Sequence, residues 1–256
     1  MDVFKQLWKS LYSPKDIARF RFQGIGKTIL FLFILILLSL IPTAIKVTQI
    51  GNSIFTQGQE IIQSKLPTFE VQDGALISSS NEPVKVNHSD FTVIVDDSGE
   101  LQPENFRNQF NTVALLQNEV VVAGQQYPYS MFSSATFNSD DISSLLASLN
   151  GAKVIIFTLI FFVMYVFSSA LMFLKVAIFA AIGLLFANLL EKKLTYRHSF
   201  RIAAYSVVLS TVFFMIVGII GSTIPAANFV NWLVTSIMLH LAIKEIPSRK
   251  PRTNAS

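Results

Sequence analysis

The residues of this sequence best suited to chemistry lie in its last apolar segment. Asn228, Asn231 and Thr235 recur at helical spacing and so form one polar stripe on a helix. His240 follows on the same segment, one turn before Lys244. Polar and ionisable groups are costly within lipid, and they mark solute or proton paths. The stripe and His240 are therefore a candidate intramembrane polar site. The alternative is that the asparagines form hydrogen bonds with neighbouring helices, and that the histidine lies near the cytoplasmic interface and contacts water.

Two tyrosines form a second candidate site. Tyr127 and Tyr129 flank Pro128, and their rings are suited to stacking on a sugar or anchoring a protein partner. The alternative is ordinary packing, either in a core or beside the membrane. The sequence leaves both readings open.

Motifs of enzymes are missing from the chain. It has no glycine-rich phosphate loop, no His-Glu-x-x-His, no Gly-x-Ser-x-Gly and no EF-hand pattern. The absence of cysteine excludes disulfides, thiolate metal sites and cysteine catalysis. We therefore expect a protein that is not an enzyme and that has no cofactor and no metal site.

The N-terminal segment predicts contact with anionic lipid headgroups. Its helical spacing places apolar residues on one face, and aromatic residues interleave with basic ones. The predicted headgroup contacts are Lys5, Lys9, Lys15, Arg19 and Arg21. Nucleic acid is not an expected partner, because the basic surface is too small.

The elements that must position these residues are membrane spans. The chain is 52% hydrophobic and 14% charged, and its mean hydropathy is +0.51, values typical of membrane proteins. The first span reads as a retained anchor rather than a cleaved signal peptide. We predict four spans, with five as the alternative because Lys175 divides the second block. The predicted transmembrane segments are 27–48, 151–190 (long or broken), 202–221 and 226–243.

Residues 49–150 predict a folded α+β domain. Strand-like runs occur at 69–71, 75–77, 91–95, 113–116 and 120–123, and the last two suit a hairpin. Helices are predicted at 52–65, 101–110 and 140–149. For the last of these, Asp140 or Asp141 is the expected cap.

Charge predicts the orientation of these parts. Basic residues concentrate in the segments 1–26, 191–201 and 244–256, whereas residues 49–150 carry three basic side chains against twelve acidic ones. The positive-inside rule places the three basic segments and both termini in the cytoplasm, and the acidic domain outside.

The N-terminal sequence FKQLWKSLYSPK at 4–15, continued by RFRFQGIGKT at 19–28, resembles a membrane family of low-GC Gram-positive bacteria. This is domain of unknown function 1189, some of whose members are labelled maltodextrin utilization proteins. The family's layout of anchor, outer domain and C-terminal spans is similar along nearly the whole chain. LTYRHSFR at 194–201 followed by AYS at 204–206 more weakly resembles the Yip1-type membrane superfamily. The resemblance implies a bacterial plasma membrane, but no activity and no site residues.

The expected fold is an α-helical integral membrane protein with an inserted extracytoplasmic α+β domain. The expected function is that of a non-enzymatic sensor, scaffold or accessory subunit in the bacterial plasma membrane, with a link to maltodextrin uptake. Its expected partners are anionic lipid and a membrane or envelope protein. The alternative is a small transporter that uses the polar stripe, and four spans would then require an oligomer to enclose a path.

Overall fold

The structure, a computed structural model, describes residues 2–88, 91–132, 136–222 and 224–247. The chain divides into two compact units. We call Met1–Ile45 with Ile160–Ser256 the helical unit, and Lys46–Leu159 the sheet unit. The predicted basic tail lies outside the described residues from position 248 onward.

Eight α-helices form most of the described chain. The two longest have 24 and 51 residues and extend for roughly 36 and 76 Å, which exceeds the ~30 Å of a lipid hydrocarbon layer. The helices are α1 Val3–Tyr12, α2 Pro14–Phe20, α3 Ile25–Ser39, α4 Ile41–Ser64, α5 Ser139–Leu189, α6 Tyr196–Ser206, α7 Val208–Ile220 and α8 Ala227–Lys244.

Three helical stretches of the described chain are long and apolar enough to cross a membrane. They are Ile25–Ser64, Ser139–Leu189 and Tyr196–Ile220. The first and third each combine two consecutive helices, namely α3 with α4 and α6 with α7. The chain is thus mainly helical, with a separate region of β-sheet.

The helical unit has one core, to which six of its helices contribute buried side chains. The apolar faces of α2, α3, α5, α6, α7 and α8 meet there, and Val3, Leu7 and Leu11 of α1 pack against it. Tyr205 is fully buried and is the largest of these buried residues. Its ring lies 4.6 Å from that of Phe20 and 4.5 Å from that of Phe31. The N-terminal helices are therefore part of the packed unit.

Gly183 allows α5 to approach α6 and α8 closely. Ser199 Oγ donates to the Ala180 carbonyl at 2.6 Å across this contact. A Cβ placed on Gly183 would overlap Ser199 Oγ and would also touch Ile243 and Leu239. A residue without a side chain is therefore needed where these three helices meet.

The sheet unit contains two β-sheets. β1 Phe69–Gln72, β2 Ala75–Ser78 and β8 Phe137–Asn138 form an antiparallel sheet in the order β2-β1-β8. The second sheet has the order β3-β4-β5-β6-β7, in which only the β4–β5 pair is parallel. Its strands are β3 Val84–Asn87, β4 Thr92–Asp96, β5 Thr112–Leu116, β6 Glu119–Val122 and β7 Gln125–Pro128.

Both faces of the five-stranded sheet are covered at its centre. Val95 and Leu115 pack with Phe69, Val71 and other residues of the smaller sheet. On the opposite face, a second cluster includes Ile94, Ala114 and Phe106, the last of these from a 3₁₀ helix at Pro103–Phe106. Burial on both sides explains why β4 and β5 are almost continuously apolar.

Two antiparallel helical segments complete the sheet unit. Gly51 and Gly58 of α4 face Phe157 and Leu146 of α5, and a Cβ on Gly51 would lie 2.6 Å from the Phe157 ring. Near one end of this pair, Gln63 Nε2 donates to Ser143 Oγ at 2.8 Å. The two glycines are seven residues apart, so they lie on the same face of α4.

The predicted strands are confirmed, and so is the hairpin of β5 with β6. The predicted helix at 101–110 is wrong, because only the short 3₁₀ helix forms there. The N-cap residue of α5 is Asn138 rather than either predicted aspartate, and its Oδ1 accepts from the backbone N–H groups of Asp140 and Asp141. Asp141 does take part in the cap, because its Oδ2 accepts from the Asn138 N–H at 3.0 Å. The predicted helices at 52–65 and 140–149 are helical, but they belong to α4 and α5.

Gly183→Ala is expected to destabilise the protein by about 1–3 kcal/mol, because the added methyl group overpacks the junction of α5, α6 and α8. The measurement is the thermal unfolding midpoint of the detergent-solubilised protein. Gly26→Ala is the matched control, since Gly26 is also helical and nothing lies within 4 Å of its added Cβ. Equal midpoints for the two variants would contradict the close contact at Gly183.

Candidate functional site

Lys175 of α5 makes a direct contact with the predicted polar stripe. Its Nζ donates a hydrogen bond of 2.6 Å to Asn231 Oδ1 of α8. The ammonium also lies 5.9 Å from the centre of the Phe179 ring, one turn further along α5. A cation within an apolar segment costs about 2.5–3.5 kcal/mol. A hydrogen bond that involves a charged group returns about 1.5–3 kcal/mol. The amide therefore offsets much of the cost, but it leaves the charge unneutralised.

A cavity of ≈ 590 Å³ surrounds this pair within the helical unit. Asn228, Trp232, Thr211 and Ser168 are among the other residues that line it, and most of the remaining lining is apolar. The volume falls within the range of roughly 300–1,000 Å³ that is typical of ligand sites. The cavity is therefore large enough for a ligand that has both a polar and an apolar part.

Thr235 does not line this cavity. It is fully buried, and its Oγ1 lies 2.9 Å from Ser210 Oγ of α7 and donates to the Asn231 carbonyl at 2.8 Å. A hydroxyl pair of this kind links neighbouring helices within lipid. Thr235 thus has the role of joining α7 to α8.

His240 is also apart from the cavity. Its ring lies 5.4 Å from that of Phe186 on α5 in an edge-to-face arrangement. It is one turn from the end of α8 at Lys244 and is not among the residues around the Lys175 pocket. The structure therefore brings together Asn228 and Asn231, but not all four residues of the candidate site.

Sequence reasoning missed Lys175 as a member of the site. The residue stood out as the charge that interrupts a long apolar block, yet this pattern does not reveal its partner. Asn231 is 56 residues away along the chain. The signal that was available is the presence of one cation and one amide in two apolar segments, since both groups are costly there unless they meet.

The N-terminal helix α1 has two different apolar edges. Val3, Leu7 and Leu11 pack against the helical core. Phe4, Trp8 and Tyr12 lie on another edge and are 68%, 65% and 63% exposed. Aromatic rings are typical of the boundary between lipid and water. The exposed edge is therefore the part of α1 that is suited to lipid.

Among the predicted headgroup contacts, two are already engaged within the protein. Lys9 Nζ lies 2.9 Å from Asp16 Oδ1 and so joins α1 to α2. The Arg21 guanidinium stacks 4.4 Å from the centre of the Phe22 ring and donates to the Ala18 carbonyl. Lys5, Lys15 and Arg19 remain headgroup candidates on the same segment.

A buried phenol fixes the N-terminal segment to α6. The Tyr205 hydroxyl lies 3.0 Å from Gln6 Oε1 and 2.9 Å from Gln23 Oε1. A phenol has one proton and donates to one of these oxygens, and the other glutamine can turn its NH₂ group toward the phenol oxygen. Gln6 and Gln23 flank the basic aromatic segment, so this pair of contacts ties down both of its ends.

A match to a family model over nearly the whole chain shows the family of the protein. Residues 4–243 match the family model described as "Protein of unknown function (DUF1189)". The chain belongs to this family. No curated protein and no solved structure matches the chain. The match to DUF1189 assigns no activity, and the weaker resemblance to the Yip1-type superfamily stays a prediction.

In this DUF1189 chain the two candidate tyrosines have different environments. Tyr129 is 3% exposed and packs with Phe137 in the core of the sheet unit, so its ring is not available for stacking on a sugar. Burial, together with the charge of Glu119, raises the pKa of Tyr129 well above its ordinary value. Tyr127 is 41% exposed on the edge strand β7. Tyr127 alone of the pair presents a ring at the surface.

Across the described part of this DUF1189 chain, no group of three or more histidine, aspartate and glutamate side chains could hold a metal ion. Lys175 lies in one cavity with several amide- and hydroxyl-bearing residues. Their arrangement suits the binding of a polar or anionic group.

The Lys9–Asp16 pair predicts a pH dependence of stability. Hydrogen bonding from Lys9, aided by Ser13, lowers the pKa of Asp16 below its ordinary value despite the opposing effect of burial. The pair therefore stabilises the protein fully above the ordinary carboxyl pKa, and this contribution disappears as the pH falls through the lowered value. Asp16→Asn is expected to lower the unfolding midpoint by a few degrees near neutral pH and to reduce its fall in acid.

The measurement is the thermal unfolding midpoint in detergent, from about pH 7 down to about pH 3. Glu245→Gln serves as the control, because Glu245 is an exposed carboxylate at the C-terminal end of α8. If Asp16→Asn and Glu245→Gln gave the same pH profile, the pair would have no role in joining α1 to α2.

Proposed function

We propose that this DUF1189 member is a protein of the bacterial plasma membrane that crosses the bilayer four times. The three long apolar helical stretches support three of the crossings. α8 supplies the fourth, since its 18 residues span about 27 Å, close to the ~30 Å of the hydrocarbon layer. It also packs against α2, α6 and α7. α5 continues without interruption through Lys175, which favours one crossing there over two.

The distribution of charge supports an orientation with both termini in the cytoplasm. The basic segments at 1–26 and 191–201 would then lie at the cytoplasmic surface, with the aromatic edge of α1 at the headgroups. The acidic sheet unit would lie outside. These placements agree with the positive-inside rule for all four crossings.

We propose a non-enzymatic role as a sensor, scaffold or accessory subunit. The observation that carries this proposal is the sheet unit, which has two cores of its own and interrupts the sequence between two apolar helices. A domain with a complete core is suited to meeting a partner or ligand outside the cell. A role beside maltodextrin uptake is the finer form of the proposal, and exposed Tyr127 is the ring that would contact the sugar or its binding partner.

The second candidate is a small transporter, which the cavity around Lys175 and Asn231 favours. A polar-lined cavity within a membrane unit is what a solute path requires. However, Thr235 and His240 lie apart from this cavity, so a path along the whole stripe is less well supported. A transporter of this size would need an oligomer.

The orientation can be tested with single cysteines, because the natural chain has none. Glu82 and Lys193 are both exposed, in the sheet unit and in the link between α5 and α6 respectively. A membrane-impermeant maleimide added to intact cells is expected to label Glu82→Cys but not Lys193→Cys. Both variants should label in permeabilised cells, which controls for reactivity. The reverse pattern in intact cells would overturn the orientation.

The proposed role can be tested by photo-crosslinking in native membranes. A photoreactive amino acid in place of Tyr127 is expected to give a discrete adduct with an envelope or membrane protein. The same amino acid in place of exposed Trp8, in the helical unit, is the matched control and should not give that adduct. Absence of any adduct at Tyr127, together with solute uptake by the purified protein in liposomes, would favour the transporter.

A further inference from the structure

The cavity beside Lys175 presents a cation and no acid. The ammonium donates to Asn231 Oδ1, which is a neutral acceptor. None of the residues that the structure places around the cavity is acidic. An ammonium has three N–H donors, so the contact with Asn231 leaves capacity for further acceptors. The electrostatic complement of this site is an anion.

The neighbouring groups strengthen this preference. Lysine and neutral N–H and O–H donors are the groups that bind phosphate oxygens in proteins. Thr43, Ser168 and Asn228 line the cavity and carry such groups, whereas the hydroxyls of two other lining residues, Ser39 and Thr211, already donate to carbonyls of their own helices. The polar side of the cavity therefore has the composition of a phosphate site.

The apolar side of the cavity is continuous with the surface of the helical unit. Leu171, Leu174 and Ile178 of α5 line the cavity and are also exposed. A ligand with an apolar chain can lie along these side chains while its anionic group remains at Lys175. A free inorganic anion would make no use of this apolar surface. The ligand is therefore an amphiphile.

The position of Lys175 along α5 agrees with a lipid headgroup. Lys175 precedes the helix end at Leu189 by 14 residues, which is about 21 Å. With Leu189 at one face of a ~30 Å hydrocarbon layer, the Lys175 backbone lies within about 9 Å of the other face. A lysine side chain spans much of that distance by extending toward the headgroups.

From the composition of this cavity and its depth, we propose that it binds an anionic phospholipid of the outer leaflet. The lipid phosphate lies beside Lys175 and the nearby hydroxyls, and one acyl chain follows the exposed leucine side of α5. This inference rests on the membrane placement proposed above. It goes beyond that placement, because it assigns a ligand class to the cavity.

Trp232 lines the same cavity and can report the bound lipid. The chain has two tryptophans, so Trp8→Phe leaves Trp232 as the sole emitter. This full-length protein is placed in nanodiscs of phosphatidylcholine that contain a small fraction of brominated phosphatidylglycerol or, in parallel, of brominated phosphatidylcholine. Brominated phosphatidylglycerol is expected to quench Trp232 with about fivefold greater apparent affinity, the factor expected for one lysine facing an anionic lipid.

Variants in the Trp8→Phe background test whether Lys175 is responsible. Lys175→Met keeps the length of the side chain and is expected to remove the preference, whereas Lys175→Arg should retain it. Lys153→Met is the matched control, because Lys153 is on the same helix and does not line the cavity. This control should keep the full preference.

Equal quenching by the two brominated lipids in the Trp8→Phe protein, in which Lys175 is unchanged, would overturn the proposal. This outcome does not depend on how a substitution at Lys175 affects folding. Relief of the quenching by millimolar inorganic phosphate would assign the site to a free anion instead. A brominated fatty acid that quenches more strongly than the phospholipid would overturn the assignment to a phosphate. The cysteine labelling experiment is independent of the quenching experiment. Absence of a preference for the anionic lipid can therefore be distinguished from an inverted orientation of the protein.

Discussion

The helical unit depends on one constraint, namely that polar groups placed among apolar side chains need partners. Lipid and a packed apolar core offer no water to satisfy them. Tyr205 meets this constraint through Gln6 and Gln23, and Lys175 meets it through Asn231. Each of these contacts joins segments that are distant in the sequence. The polar residues thus specify which helices meet, while the apolar residues supply most of the contact area.

The same contacts explain the arrangement of the last three helices around α5. Lys175 with Asn231 joins α5 to α8, and Thr235 with Ser210 joins α8 to α7. The Ser199 hydroxyl joins α6 to α5 beside Gly183. Apolar surfaces alone would allow these helices to slide or rotate, because one leucine contact is much like another. Directional hydrogen bonds remove that freedom, although the buried Ser169 hydroxyl has no partner among the described residues.

Local patterns in the sequence predicted individual helices and strands, but not the contacts between residues that are distant in the sequence. The long apolar runs predicted the long apolar helices, and short apolar runs predicted β4 and β5. β7 was missed because it is an edge strand whose four residues are all exposed, and β3 was missed because its alternation of valine with Lys85 and Asn87 extends over only four residues. Asn138 was missed as a cap because the two aspartates after it are equally good candidates by type. The partner of Lys175 was beyond reach, since a contact across 56 residues leaves no local signal.

The presence of a lysine at position 175 is not explained by the packing of α5. A methionine of similar length would fill the same space without the roughly 2.5–3.5 kcal/mol that a cation costs within an apolar segment. Packing α5 against α8 therefore does not require a charge, and replacing buried charged groups by apolar ones is often neutral or stabilising. Asn231 compensates only in part, because an amide oxygen is a dipole rather than a counter-charge. A cavity whose lining includes this cation and hydroxyl-bearing residues but no acid is suited to an anion that comes from outside the chain.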